Sequence, residues 1–168
     1  MTTIYFWFAR NGGVGHVSAK ISNEYVSYWP GGAGADPKKD VKIGQSHEPH
    51  FMSQYDRDWR AEGKRHADAQ LTLTNINEEA ALKAWKEIKD NEVRYNMRRY
   101  NCSTVIAFLI EVGSQISPSF VPTVDLGEYD LPWMLRIAFR LRTFGNQVKM
   151  WTPESVYRYA LEIAQHTP

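Results

Sequence analysis

The segment Asn101–Gly113, NCSTVIAFLIEVG, constrains the fold of this chain more than any other stretch. Asn101 suits a helix N-cap, and Gly113 suits a C-terminal stop. Between them, Val105–Ile110 runs without a polar residue, so the spacing predicts a helix buried at the centre of a domain rather than lying on its surface. Such a helix needs apolar cover on several sides. Its first turn carries the single cysteine of the chain, Cys102.

At 168 residues the chain predicts one domain. Charged residues make up 23% and the formal net charge is +1, which argues against an electrostatic footprint for nucleic acid or anionic lipid. The basic tracts Arg94–Arg99 and Arg136–Arg142 alternate with apolar neighbours such as Ile137, Phe139 and Leu141. They read as solvated amphipathic faces. One cysteine excludes an intramolecular disulfide and a CxxC zinc site. Ile4–Ala9 is too short for a signal peptide and has no basic region before it. The longest apolar run is far below the roughly 20 residues that span a bilayer. The expected protein is made in the cytoplasm, does not insert into membranes, and leaves its cell only through a dedicated machine.

Residues 3–9 (TIYFWFA) predict a strand, Asn11, Gly12 and Gly13 a turn, and residues 14–21 a second strand. In that strand Val17, Ala19 and Ile21 share one face, and His16, Ser18 and Lys20 share the other. Ser22 and Asn23 suit a hairpin turn into a return strand over residues 24–29. A two-residue turn sets His16 opposite Trp29 and Ser18 opposite Ser27. From Pro30 to Met52 the composition predicts a long surface loop, and residues 53–66 are polar. A strand follows over residues 69–74. Asn77 then opens a helix to about Asp90, with Ala81, Trp85 and Ile88 on one stripe. Pro118, Pro122 and Pro132 interrupt the next stretch, residues 133–142 predict a short helix, and Thr152 with Pro153 starts a terminal helix.

A thiol in the first turn of a helix faces unpaired backbone N–H groups and the positive end of the helix dipole. Both favour a thiolate and, later, an oxyanion. The plainer alternative is a buried, inert cysteine. A thiolate nucleophile needs a partner base, usually histidine. Five histidines are present. His166 falls near a helix end, His47 and His50 in the polar loop, and His66 in a charged tract. His16 alone sits on a predicted strand, directly after Gly15, which gives the rigid mounting catalysis requires. Its plainer alternative is a satisfied sheet histidine.

The order GHVSAKI, YVSYWP and NCSTVIAFLIE resembles a permuted papain-like family, the NlpC/P60-related cysteine hydrolases and acyltransferases. There the histidine strand precedes the nucleophile helix. Members with this pattern include bacterial toxins and effectors, some delivered by type VI secretion. The resemblance spans roughly Val14–Gly113 and implies Cys102 as nucleophile and His16 as base. It also implies an acid in a segment like DxxAEG, here residues 58–63. Asp58 is then the first choice to hold the imidazole, with Asp56 and Glu62 as alternatives; the plainer reading is that all three belong to a solvated charged tract. Many relatives draw the orienting group from the strand after the histidine, which points to Ser27 or Tyr25.

Competing chemistry is weak. HEPH (residues 47–50) lacks the helical spacing of a zinc motif, GGAG (residues 31–34) opens no helix, and there is no phosphate-binding GxxxxGK[ST] loop. No metal or cofactor is expected. The expected fold is α+β, a small antiparallel sheet packed on the Cys102 helix. The catalytic core spans about residues 3–113 and a helical extension residues 114–168. The expected function is a thiol hydrolase of the Cys102–His16–Asp58 type, cleaving amide bonds through a thioester. As a secreted antibacterial effector it would act in a target cell on peptidoglycan peptides, with an immunity protein and a secretion-system carrier as partners. An acyltransferase or deamidase acting on proteins, and a non-catalytic binding module on the same fold, are the alternatives.

Overall fold

The computed structural model describes residues 1–10, 13–31, 37, 41, 44–125 and 147–166. Its centre is a five-stranded antiparallel sheet in the order β5-β3-β2-β1-β6, formed by β1 (Thr2–Trp7), β2 (His16–Ile21), β3 (Glu24–Pro30), β5 (Pro49–Met52) and β6 (Ala69–Leu73). The β2–β3 pairs Ala19↔Val26, Lys20↔Tyr25 and Ile21↔Glu24 match the register expected from a two-residue turn at Ser22 and Asn23. That register follows from alternation, because a slip by one residue would turn Val17, Ala19 and Val26 out of the core.

The sheet is covered on both faces. Ile4, Phe6, Val17, Ala19, Ile21, Val26 and Tyr28 bury one face against helices α2 (Glu78–Asp90), α3 (Cys102–Ser114) and α4 (Pro153–Gln165). The other face meets the short helix α1 (Tyr55–Ala61), whose Tyr55 ring packs on Tyr5 and Trp7. As its sequence predicts, α3 is central, with Val105, Ile106, Ala107, Leu109 and Ile110 all buried. Gly113 is not its stop. Gly113 lies inside the helix, where a Cβ would come within 2.6 Å of the Ile76 side chain, and Gln115 takes the left-handed cap position at φ 58°. Close packing against the start of α2 explains that glycine.

Segment 30–52 is more structured than its composition suggests. It contains β4 (Ser46–His47), paired with β7 (Tyr95–Asn96), and β5, which extends the main sheet. The short helix expected over residues 133–142 lies outside the described residues, as does the basic tract within it. The strands β8 (Thr123–Asp125) and β9 (Gln147–Lys149) flank that interval as a two-stranded ribbon. Thr152 caps α4 and Ser155 completes the reciprocal bond, with Pro153 at the first position. Val156, Tyr159, Ala160 and Ile163 of α4 then enter the same core as α3.

Candidate active site

Gly15 sets the position of His16. Its φ of +72° is open to glycine, and a Cβ there would lie 2.3 Å from the Trp7 carbonyl oxygen. The chain therefore passes tightly under the end of β1 before β2 begins at His16. The imidazole is 1% exposed and stacks on Trp29, with ring centroids 4.1 Å apart and 25° between planes; Trp7 lies 5.6 Å away. The two indoles hold the ring in one plane.

Asp58 meets the Nε2 edge of that ring. It is the one buried acid of the 53–66 tract, with no exposed surface, and it projects inward from α1. His16 Nε2 lies 3.3 Å from Asp58 Oδ2 and 3.1 Å from Ser27 Oγ. Tyr25 donates its hydroxyl to Asp58 Oδ2 at 2.7 Å, Ser27 donates to Oδ1 at 2.7 Å, and the Trp29 indole donates to Oδ1 at 2.8 Å. Because the Tyr25 proton is spent on Asp58, the Ser18 hydroxyl at 2.7 Å donates to Tyr25. Tyr25, Ser27 and Trp29 are alternate residues of β3, so one sheet face delivers all three donors to one carboxylate.

The electrostatics follow from these contacts. Burial works to lower the His16 pKa, but the Asp58 charge, the nearby Cys102 sulfur and hydrogen bonds to both outweigh it and raise the value to about 10. Burial works to raise the Asp58 pKa. The His16 charge and the donors His16, Tyr25 and Ser27 outweigh it and hold the carboxyl below its ordinary range. The pair therefore favours an imidazolium facing a carboxylate. Nε2 is committed to Asp58 and Ser27, and Cys102 lies near enough to the imidazole to contribute to its raised pKa.

Cys102 is 7% exposed at the first position of α3. The Asn101 side chain accepts from the Thr104 N–H at 2.7 Å, and its amide donates to the carbonyls of Met97 at 2.8 Å and Trp151 at 3.0 Å. Val105 N–H bonds the Asn101 carbonyl, which leaves the N–H groups of Cys102 and Ser103 as first-turn donors not used within the helix. Ser103 Oγ lies 4.0 Å from the thiol sulfur. A cleft of about 350 Å³ opens over His16 and Cys102, bounded by Trp29, Glu62, Arg65 and Tyr95. A second pocket of about 30 Å³ adjoins this cleft, sharing Cys102, Tyr95 and Met97 with it and reaching to the starts of α3 and α4.

The structure thus brings His16, Asp58 and Cys102 into one site and leaves the alternatives to Asp58 in different roles. Asp56 is exposed, and Glu62 pairs with Arg65 at 3.0 Å on the cleft rim. Ser27 and Tyr25 are not rivals of Asp58; they are donors to it. His66 stacks near Tyr55 at the surface, and His166 bonds the Glu162 carbonyl. His47 and His50 each bury an Nε2 without a hydrogen-bond partner, and His50 stands opposite Trp29 in the β3–β5 register. Among the described residues no three His, Cys, Asp or Glu side chains gather as a metal site, and no helix is long and apolar enough to cross a membrane. Sequence reading missed Trp29 as a donor and Tyr95 as a cleft wall. The alternation Tyr25, Ser27, Trp29 opposite Ser18 and His16 was the available signal for the first. Compared with protein-family models, curated proteins and solved structures, the chain gives no significant match to any.

Proposed function

We propose that this protein is a cysteine hydrolase that cleaves amide bonds, with Cys102 as nucleophile, His16 as general acid and base, and Asp58 as the group that positions His16. The observation that carries this reading is the buried Asp58 carboxylate. Tyr25, Ser27 and Trp29 hold it against an imidazole that shares an open cleft with the thiol in the first turn of α3. A histidine held only for structure has no need of a cysteine beside it.

In the proposed reaction the Cys102 sulfur attacks the carbonyl carbon, a C–S bond forms, and the carbonyl electron pair moves to oxygen. In this reading the N–H groups of Cys102 and Ser103 receive that oxyanion. Collapse breaks the C–N bond, and the His16 imidazolium gives its proton to the leaving amine. His16 then takes a proton from water, which attacks the thioester and releases the carboxylate and the thiolate. The α+β arrangement, with the histidine strand ahead of the nucleophile helix, supports a permuted papain-like fold. We further propose that the substrate is a peptidoglycan peptide and the setting an antibacterial effector.

Three measurements test this. The rate of Cys102 alkylation by iodoacetamide, followed by mass across pH 5–9, should drop at least tenfold near neutrality in His16→Ala; equal rates in the two proteins would remove the Cys–His pair. Purified sacculi should release new amino and carboxyl termini with the wild type and not with Cys102→Ala. In cells, a secretion signal should make the chain lytic in a bacterium. Toxicity confined to the unexported chain would instead indicate a transferase or deamidase acting on cytosolic proteins. Equal toxicity of Cys102→Ala would indicate a binding module.

A further inference from the structure

The cleft over Cys102 carries a charge that the fold does not use. Besides the His16–Cys102 pair, the charged side chains among its described lining residues are Arg10, Glu62 and Arg65. Glu62 is taken by Arg65 Nη2 at 3.0 Å. Arg65 also places Nη1 2.5 Å from Asp68 Oδ2, and the Phe8 N–H donates to the same oxygen at 2.8 Å. The Asp68 side chain is 12% exposed and is not part of the cleft lining. Its carboxylate is therefore satisfied without Arg10.

Arg10 adds one contact to that group, Nη2 to Asp68 Oδ1 at 2.7 Å. Its Nε and Nη1 have no partner among the described residues, and 60% of the side chain is exposed, against 26% for Arg65 and 15% for Glu62. An ion pair at so open a position contributes little to stability. What the Asp68 contact does is fix one corner of the guanidinium and leave the remaining donors free. Arg10 follows β1, and the Gly13 N–H bonds its carbonyl at 2.8 Å, on the approach to Gly15 and His16. The free cation and the proposed base are thus mounted on one short stretch of chain. An arginine fork takes a carboxylate through paired N–H donors, and the geometry of that pair is specific.

We infer that Arg10 is a substrate-recognition residue, and that the protein acts on substrates carrying a free carboxylate, which the Arg10 guanidinium holds while Cys102 attacks the amide. This rests on the cysteine-hydrolase reading and narrows it, since a neutral or cationic peptide lacks the group that Arg10 takes. Asp68 stays in place when the carboxylate binds, because Arg65 and the Phe8 N–H already hold it. The probes are the iodoacetyl derivatives of glycine, β-alanine, γ-aminobutyrate and ε-aminocaproate, each paired with its own carboxamide. The two members of a pair have the same reach and nearly the same shape, and differ in charge. The series of spacers samples the span from the sulfur to Arg10. Each reagent alkylates Cys102 at its CH2 carbon, forming a C–S bond with loss of iodide, and rates are read by intact mass.

At low ionic strength the carboxylate should react at least fivefold faster than its amide for at least one spacer, and high salt should compress that ratio. Arg10→Gln should bring the ratio to unity or below. Because the ratio is taken within one protein, a general change in thiol reactivity cancels. Carboxylates no faster than their amides at every spacer would overturn the inference. A preference that survives Arg10→Gln would also overturn it, by assigning the selectivity to some other cation. Failure of the underlying reading has a different signature, since iodoacetamide then reacts equally with wild type and His16→Ala.

Discussion

A carboxylate with no exposed surface is costly to bury, and Asp58 is tolerated because three donors and an imidazolium surround it. Removing it leaves His16 buried without a counter-charge. Asp58→Ala should lower hydrolysis by about 10²-fold or more and destabilise the fold by about 3–5 kcal/mol. Asp56→Ala, at an exposed position, should keep full activity and stay within about 0.5 kcal/mol of wild type. Steady-state rates on a cleaved peptide and urea midpoints read both effects. The sequence marked Asp58 only by resemblance, because the tract YDRDWRAEGKR is charged throughout and its helix has two turns. What singles out Asp58 physically is its place three residues after Tyr55, on the face that α1 turns toward Tyr5 and Trp7. Ser27 and Tyr25 could not substitute for it, since a hydroxyl carries no charge to hold an imidazolium.

At the scale of elements, Asn101 joins three segments. One side chain caps α3, holds the Met97 carbonyl before it, and holds the Trp151 carbonyl ahead of α4. An ordinary cap contributes about 1 kcal/mol. Asn101→Ala should cost more, about 2–4 kcal/mol, because two carbonyls lose their donor as well. Chemical denaturation measures the loss, and iodoacetamide should find Cys102 in a less ordered first turn. The cap and the apolar run behind it were legible in sequence because both are local. The hairpin register was legible for the same reason, since a two-residue turn and strict alternation leave one solution. Strand β5 was not, because PHFM is short and begins with proline, and only pairing with Ser27–Pro30 makes it a strand. Gly113 misled in the opposite direction: helix-stop chemistry and a close helix contact both call for glycine, and sequence does not separate them.

For the whole molecule, burial of a charged pair sets the pH range of stability. The folded protein keeps the His16 proton up to about pH 10, whereas the unfolded chain releases it near 6.5. The pair's contribution is therefore full below about 6.5 and is lost as pH rises toward 10. Asp58 acts with the other sign. Its depressed pKa contributes stability above the ordinary 3.8, lost as pH falls below that value. Urea midpoints against pH should show a plateau between these limits, and His16→Ala should flatten the decline between 6.5 and 10. An alkaline limb of unchanged slope in that variant would show that other groups carry it.

One wall of the small pocket comes from Met150–Pro153, far along the chain from the Cys102 it borders. Synthesis runs in the order His16, Asp58, Cys102 and only then this wall with α4. A nascent chain thus exposes its thiol before Trp151 can receive the Asn101 amide and before Tyr159 and Ile163 reach the core. Until α4 docks, Cys102 lacks the Met150–Pro153 wall beside it. Protection of the thiol arrives last on the ribosome, and the interval before it is when the sulfur is most open to whatever it meets.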